Sequence, residues 1–260
     1  MRLVSLCPSI TESLVALGLV DELVGVTRYC VHPKEAVTRV PKMGGTKNPD
    51  LEAIRAARPD LVFCNAEENR AEDIAALSKN FKVDLSHPRT VAEIPALLRH
   101  FGRLTGTGET AEGLSLKVEK ALERVDERVA HPVGGGGAPS RFRFVYLIWK
   151  DPWMTIGPGT YIADLIRTAG GVLSLEENKG VARDYPETSV DEIMASRPDV
   201  LLLPDEPYRF REEHARFWRE RLPASRVLLV SGDDFCWHGV RTLHGLEAAA
   251  ALAAPVQVEA

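Results

Sequence analysis

Two stretches decide the fold: Ile54-Arg-Ala-Ala-Arg-Pro-Asp-Leu-Val-Phe63 and Ile193-Met-Ala-Ser-Arg-Pro-Asp-Val-Leu-Leu202. Each reads as a helix end, an Arg-Pro-Asp turn and a buried strand. Proline stops the helix because it lacks an N–H and disfavours the α region for the residue before it. The apolar run that follows suits a parallel strand covered on both faces. The two copies hold similar places in their halves of the chain, which points to duplication.

Outward from these copies the same alternation continues. Leu3–Leu6 reads as a strand. Ser9 and Glu12 have the Ser-x-x-Glu spacing of a capping box, and that helix would end at Gly18, a suitable residue just past a helix end. Leu23–Tyr29, Leu61–Asn65 and Lys82–Leu85 read as further strands. Helices are expected from Pro49-Asp50 through Ala57, over Glu67–Lys79 and over Val91–Leu104. In the second half the expected strands are Phe142–Trp149, Val200–Pro204 and Arg226–Ser231. The expected helices there are Thr160–Ala169, Ser189–Ser196, Pro207–Arg221 and Val240–Ala253. Strand–helix alternation of this kind implies a parallel sheet in each half.

Between the halves, Leu114, Val118, Ala121, Leu122, Val125 and Val129 recur at helical spacing among Glu, Lys and Arg. Thr107–Ala130 is therefore one helix, about 36 Å long at 1.5 Å per residue. His131-Pro132 and the tract Gly134–Gly137 follow it as a flexible link. The expected fold class is α/β: two Rossmann-like lobes with parallel sheets, joined by one long backbone helix, with a ligand cleft between them. The lobes would be residues 1–106 and 132–260, with 107–131 as the bridging helix.

Composition agrees. Of the 260 residues, 45% are hydrophobic and 27% charged, which excludes a disordered chain, a collagen-like chain and a small disulfide scaffold. Lys plus Arg number 32 and Asp plus Glu 37, a net charge of −5 that gives no electrostatic reason to expect nucleic acid. No apolar run approaches the roughly 20 residues of a membrane span. A monomer is expected. Cys7, Cys30, Cys64 and Cys236 are too few and too separated for a disulfide framework and suit a reducing compartment.

Nucleotide and hydrolase motifs are absent: no Walker loop, no G-x-G-x-x-G after the first strand, no G-x-S-x-G and no H-E-x-x-H. Gly157-Pro-Gly-Thr160 opens a helix, with Thr160 as its cap or the loop as an anion cradle. In an open parallel sheet, ligands bind outside the carboxyl ends of the strands. Those ends carry Cys7 and Ser9; Arg28, Tyr29, Cys30 and His32; Cys64, Asn65, Glu67 and Glu68; His87 and Arg89. In the second half they carry Trp149, Asp151 and Trp153; Asp205 and Glu206; Phe235, Cys236, Trp237, His238 and Arg241. Aromatics beside a few polar groups suit a large flat or amphipathic ligand. The plainer readings are buried packing for each cysteine, core packing for Trp218 with Phe210 and Phe217, and core packing for Trp149. Cys30, His32, Cys64 and His238 are weak metal candidates that need the lobes to bring them together.

One family fits these residues in order. Val4-Ser-Leu-Cys-Pro-Ser-Ile-Thr-Glu-Ser-Leu-Val-Ala-Leu-Gly18, Val24-Gly-Val-Thr-Arg-Tyr-Cys30, Gly44-Gly-Thr-Lys-Asn-Pro-Asp-Leu-Glu-Ala-Ile54, Arg58-Pro-Asp-Leu-Val62 and Gly157-Pro-Gly-Thr-Tyr-Ile-Ala-Asp-Leu-Ile166, with Gly170-Gly171 and Ser189–Leu202, resemble the helical-backbone metal receptor family. These are class III substrate-binding proteins of ABC transporters, and the resemblance is closest to the vitamin B12-binding branch. It implies a binding protein, not an enzyme, for a metal chelate, foremost a corrinoid, with iron–siderophore or haem as a further alternative. No cofactor is required; the chelate is the ligand. The implied ligand residues are Arg28, Tyr29, His32, Cys64, Glu68, Trp149, Trp153, Trp237, His238 and Arg241. An ABC permease is the implied partner, met by Glu67, Glu68 or Glu72 on one lobe and Asp205 or Glu206 on the other.

The family implies the periplasm or cell surface. Met1–Leu6 is too short in its apolar part for a signal peptide, so the residues themselves leave the cytosol open, or an export segment outside this sequence. The competing functional reading is a cytosolic metal-handling protein or enzyme using Cys30, His32, Cys64 and His238. A third is a sensor or scaffold independent of any permease.

Overall fold

The computed structural model of the chain is described here for residues 1–131, 141–175 and 184–253. The Gly134–Gly137 tract lies outside the described residues. The chain divides into two compact units. One comprises Met1–Pro88, Ala92–Val118 and His238–Arg241; the other comprises Arg89–Val91, Glu119–Trp237 and the chain from Thr242. The expected segments were 1–106, 107–131 and 132–260, and these two units are bounded differently. The long helix contributes residues to both units, and two short segments are counted with the unit that their chain neighbours do not belong to.

The first unit contains β1 (Leu3–Ser5), α1 (Pro8–Ala16), β2 (Leu23–Val26), α2 (Lys34–Val37), α3 (Leu51–Ala57), β3 (Leu61–Asn65), α4 (Ala71–Ser78), β4 (Lys82–Ser86), α5 (Ile94–Thr105) and the first part of α6 (Gly108–Ala130). Its four strands are all parallel, in the order β2-β1-β3-β4. Because side chains alternate along each strand, the sheet has a core on both faces. Leu3, Leu61 and Phe63 pack with Ile10, Leu14 and Phe101 on one side. Val4, Val62 and Cys64 pack with Met43, Ile54 and Leu77 on the other.

The second unit contains the rest of α6, then β5 (Phe142–Trp149), β6 (Met154–Thr155), α7 (Tyr161–Thr168), β7 (Gly171–Leu173), α8 (Val190–Ser196), β8 (Val200–Pro204), α9 (Glu212–Arg221), β9 (Arg226–Val230), α10 (Gly232–Cys236) and α11 (Thr242–Leu252). Its parallel strands run β7-β5-β8-β9, with β6 added antiparallel to β5. Apart from β6, this repeats the strand order of the first unit.

The sequence repeat becomes a repeated device at the amino ends of the two sheets. Arg58 and Arg197 end α3 and α8 in the left-handed region, at φ 45° and φ 44°. The Asp that follows each proline then grips the residue just before or at the start of the first strand. The Arg2 N–H donates to Asp60 Oδ2 at 2.7 Å, and the Arg143 N–H donates to Asp199 Oδ2 at 2.6 Å. The Asp60 and Asp199 N–H groups return bonds to the Arg2 and Arg143 carbonyls, each at 2.8 Å. Each arginine's guanidinium also bonds a carbonyl at the end of its helix, Ala57 for Arg2 and Ser196 for Arg143.

Several expected elements shift at their starts. Ser9 does not cap α1. The helix begins at Pro8 with Cys7 as the cap residue, so Ser9 lies inside the first turn and its hydroxyl is used elsewhere. Glu12 is likewise taken by Arg241. The helix expected from Glu67 starts at Ala71, because Asn65 Oδ1 accepts the Glu67 and Glu68 N–H groups and winds that segment into a turn. The helix expected from Pro207 starts at Glu212. The strand expected to reach Tyr29 ends at Val26. At Ser189 a capping box does form, with Glu192 as its partner, and Thr160 caps α7 by accepting the Ala163 N–H.

Candidate functional site

At the carboxyl end of the first unit's sheet, small polar side chains form a buried network. Asn65 ends β3, and its Oδ1 accepts the Glu67 and Glu68 N–H groups at 2.9 and 3.1 Å. Its Nδ2 is thereby identified as the amide nitrogen, and it lies 3.2 Å from His238 Nε2. A donor there requires Nε2 to accept, which fixes the neutral imidazole with its proton on Nδ1. Burial, together with nearby His87, lowers the His238 pKa to about 4, in agreement with a neutral ring. Ser9 Oγ lies 3.1 Å from the same nitrogen and 3.2 Å from Cys7 Sγ.

A serine beside an imidazole nitrogen is the geometry of a nucleophile and its base. Here both side chains are buried, and Asn65 competes for the same lone pair. The contact is structural. It fastens His238–Arg241 to α1, as do two further bonds. The Val240 N–H donates to Ser13 Oγ at 3.1 Å, and Arg241 forms an ion pair with Glu12 at 2.8 Å, with both side chains nearly enclosed. Gly239, at φ +80°, lies where a Cβ would come within 2.2 Å of Ser13 Oγ, so no side chain fits there.

Cys30 and Cys64, expected as ligand or metal candidates, are core residues. Cys30 Sγ is met by Thr11 Oγ1 at 3.0 Å and Thr27 Oγ1 at 3.1 Å, in the core on one face of the sheet. Cys64 packs on the opposite face. Burial raises all three thiols of this unit, Cys64 to about 12, so none offers a ready thiolate. Among the described residues, no three His, Cys, Asp or Glu side chains come together as metal ligands. The residues that do reach the surface are Arg28 and Tyr29. Tyr29 is 51% exposed. The Arg28 guanidinium stands 5.3 Å from the Tyr29 ring centroid and donates to Asn48 at 3.2 Å. His32 and Glu68 are half-buried nearby in sequence.

The second unit's carboxyl end is aromatic. Trp149 ends β5, is 41% exposed, and meets Tyr208 edge-on at 5.5 Å. Trp153, an expected ligand residue, is half-buried in a cluster. It stacks on Phe210 at 6.2 Å and meets Trp218 edge-on at 5.2 Å. Trp218 is fully buried, as its packing role required. Trp237, also expected to face ligand, is buried, and its indole N–H donates to Glu206 Oε1 at 2.7 Å. Glu206, expected on the surface as a docking acid, is turned inward to receive that bond and one from Cys236 Sγ at 3.1 Å. Asp205 remains exposed, with its Oδ1 accepting the Gly232 N–H at 2.8 Å.

Sequence reasoning missed Ser9, Glu12 and Asn65 as partners of the His238–Arg241 segment, and Tyr208 as the partner of Trp149. Ser9 and Asn65 had a signal, as polar residues at the carboxyl ends of apolar strands. The other pairings join residues far apart in sequence.

Known proteins share both the sequence pattern and the fold. The sequence profile of the periplasmic binding protein family matches residues 3–215. The chain belongs to that family. The vitamin B12-binding protein of Vibrio cholerae serotype O1 is 23% identical over 257 residues, covering 95% of this chain and 86% of that protein. The crystal structure of the periplasmic vitamin B12 binding protein BtuF of Vibrio cholerae matches with a TM-score of 0.81 at 22% identity, covering 97% of this chain and 96% of that one. The periplasmic heme-binding protein RhuT from Roseiflexus sp. RS-1, in its apo form, matches with a TM-score of 0.80 at 21% identity, over 97% of this chain and 96% of that one. The two structural likenesses establish a shared α/β fold.

Proposed function

We propose that this chain is the substrate-binding protein of an ABC transporter, working in the periplasm, and that it captures a metal chelate, foremost a corrinoid of the vitamin B12 type. The observation that carries this reading is the pair Tyr29 and Trp149. Among the described residues they are the exposed Phe, Tyr or Trp side chains, and each stands at the carboxyl end of a strand in its own unit. Ligands of open parallel sheets bind at those ends. An exposed aromatic gives a macrocycle an apolar face to lie on, and Arg28 beside Tyr29 offers a cation to its polar rim. The vitamin B12-binding relatives support the corrinoid. The metal arrives inside its chelator, so binding requires no protein ligand to it and no catalytic group.

Permease docking would fall to Glu67, Glu68 and Glu72 in one unit and Asp205 in the other. Glu206 drops out of that set because its carboxylate serves Trp237.

Titration with cyanocobalamin, haem and a ferric siderophore, followed by absorbance and calorimetry, tests this. Cobalamin should bind in the micromolar range or tighter, about −8 kcal/mol or better. Tyr29→Ala and Trp149→Ala should each weaken it about tenfold, the size of one lost aromatic contact. No binding of cobalamin at about 100 μM would overturn the corrinoid reading.

One observation favours haem as the second reading. Tyr29 presents a phenol with an arginine beside it, and a tyrosine oxygen is an established axial ligand for haem iron. A haem spectrum that changes on Tyr29→Phe would move the assignment there.

A further inference from the structure

We propose that Tyr208 and His214 extend the ligand site of the second unit. Tyr208 is the second wall of a two-ring corner with Trp149, and His214 is the positioning residue that holds Tyr208 there before any ligand arrives, a role that rests on Trp149 being a binding residue.

The corner lies within the second unit. Tyr208 belongs to the loop between β8 and α9, after the carboxyl end of β8. Its ring stands 5.5 Å from that of Trp149, with the two planes at 71°. Among the described residues this is the one ring contact that Trp149 makes. Trp149 is exposed and Tyr208 is half-buried beside it. Aromatic rings make contact both by their faces and by their edges. Two rings set nearly at right angles therefore suit a ligand with a flat face and a substituent rising from it. A metal held in a planar macrocycle, with an axial group, has that shape.

His214 is the third residue of α9 and is buried. Its Nδ1 accepts the Arg211 N–H at 3.0 Å, the place that a glutamate takes in a capping box. A backbone N–H can only donate, so Nδ1 holds a lone pair and the neutral ring carries its proton on Nε2. Nε2 lies 3.3 Å from Tyr208 Oη and donates to it. Glu213 Oε1, at 3.9 Å from the same nitrogen, is beyond hydrogen-bonding distance. The helix cap thus sets the tautomer, and the tautomer sets the bond to the tyrosine. Packing completes the support. The Tyr208 ring lies 4.8 Å from that of buried Phe210 and meets His214 edge-on at 5.6 Å, while Phe210 meets His214 edge-on at 5.5 Å. A loop tyrosine without this anchor would lose its rotamer freedom on binding, which weakens affinity by about two- to tenfold.

Titration of the full chain with cyanocobalamin and with haem tests this on three conservative variants. His214→Asn keeps an acceptor for the Arg211 N–H but has no donor that reaches Tyr208. His214→Gln places an amide N–H near the position of Nε2 and gives up the cap. Tyr208→Phe keeps the ring and loses the oxygen. His214→Asn and Tyr208→Phe should each raise Kd about two- to tenfold, and the double variant should bind no more weakly than the weaker single. His214→Gln should recover most of the loss seen in His214→Asn. A histidine that only capped α9 would give the reverse order, with His214→Gln damaging and His214→Asn harmless, and that order would overturn the proposal. Additive losses in the double variant would overturn it too. Near-UV circular dichroism of the ligand-free protein separates the positioning from the binding. The band that disappears in Trp149→Ala should also weaken in His214→Asn. An unchanged band there overturns the positioning whether or not ligand binds. A parent protein that binds neither cyanocobalamin nor haem, with the band weakened as expected, overturns the binding role of Trp149 and of the corner with it.

Discussion

The two units share one strand order and one Arg-Asp clamp, yet their carboxyl ends have little in common. The first is lined by Ser9, Thr11, Thr27, Asn65 and His238, closed by hydrogen bonds. The second is lined by Trp149, Trp153, Tyr208, Phe210 and Trp218, closed by ring contacts. The amino ends must make the same tight turn from helix to strand, and a turn tolerates few residues. The carboxyl ends are where open parallel sheets in general bind ligands, and there one scaffold is free to carry different side chains. The repeat is thus legible where backbone geometry constrains the sequence and lost where it does not.

The comparison breaks first in the cores. Trp218→Ala removes the ring on which Trp153 and Phe217 rest, and should cost about 3–5 kcal/mol in denaturant unfolding. Its effect should fall on the second unit, read by hydrogen exchange in β8 and α9 before β1 and β3. Uniform loss across both units would mean that they unfold as one.

Acid should sharpen the contrast. His238 in the first unit has a pKa lowered from 6.5 to about 4, so its contribution is full above 6.5 and is lost as pH falls through about 4. Glu206 in the second unit has the opposite sign: burial raises its pKa from 4.5 to about 7, so its contribution is full below 4.5 and is lost as pH rises through about 7. The first unit should therefore weaken on acidification while the second gains. Hydrogen-exchange free energies in β1 and β3, followed from pH about 7 to about 4, should show the loss, and His238→Gln should reduce its slope. An unchanged slope would remove His238 from the account.

The smallest effect concerns the shared device. Asp60→Ala and Asp199→Ala should each cost about 1 kcal/mol, since each carboxylate accepts one backbone N–H at an exposed turn. Equal costs would sharpen the symmetry. A twofold difference in the measured cost would show that one copy has lost its role.

Much of the scaffold was legible. Leu61–Asn65, Phe142–Trp149 and Val200–Pro204 were located to the residue, because largely apolar runs bounded by proline or polar turns admit one reading. Helix starts were not, because capping side chains had better-placed partners elsewhere. Ser9 and Glu12 spell a capping box, and both were drawn away by His238 and Arg241, more than 220 positions along.

Of the candidate site, sequence pointed to the loops at the strand ends and did not separate the side chains that reach the surface from those that turn inward. Tyr29 and Trp149 reach the surface as a binding role needs, whereas Cys64, Trp237, His238 and Arg241 support the loops from inside. Position at a strand end says that a residue lies near the ligand side. It does not say which way the side chain turns, because that depends on partners from other elements.

The sequence by itself determined the α/β alternation, the duplicated turn and the family, since each is carried by local spacing and backbone chemistry. Only the tertiary structure decided that Glu206 faces a buried indole rather than solvent, and that His238 is a neutral acceptor. It also decided that Cys30 and Cys64 lie on opposite faces of one sheet. Burial and charge are properties of neighbours in space, and those neighbours lie 31 to 229 residues apart in the chain or are hidden by the period of a strand.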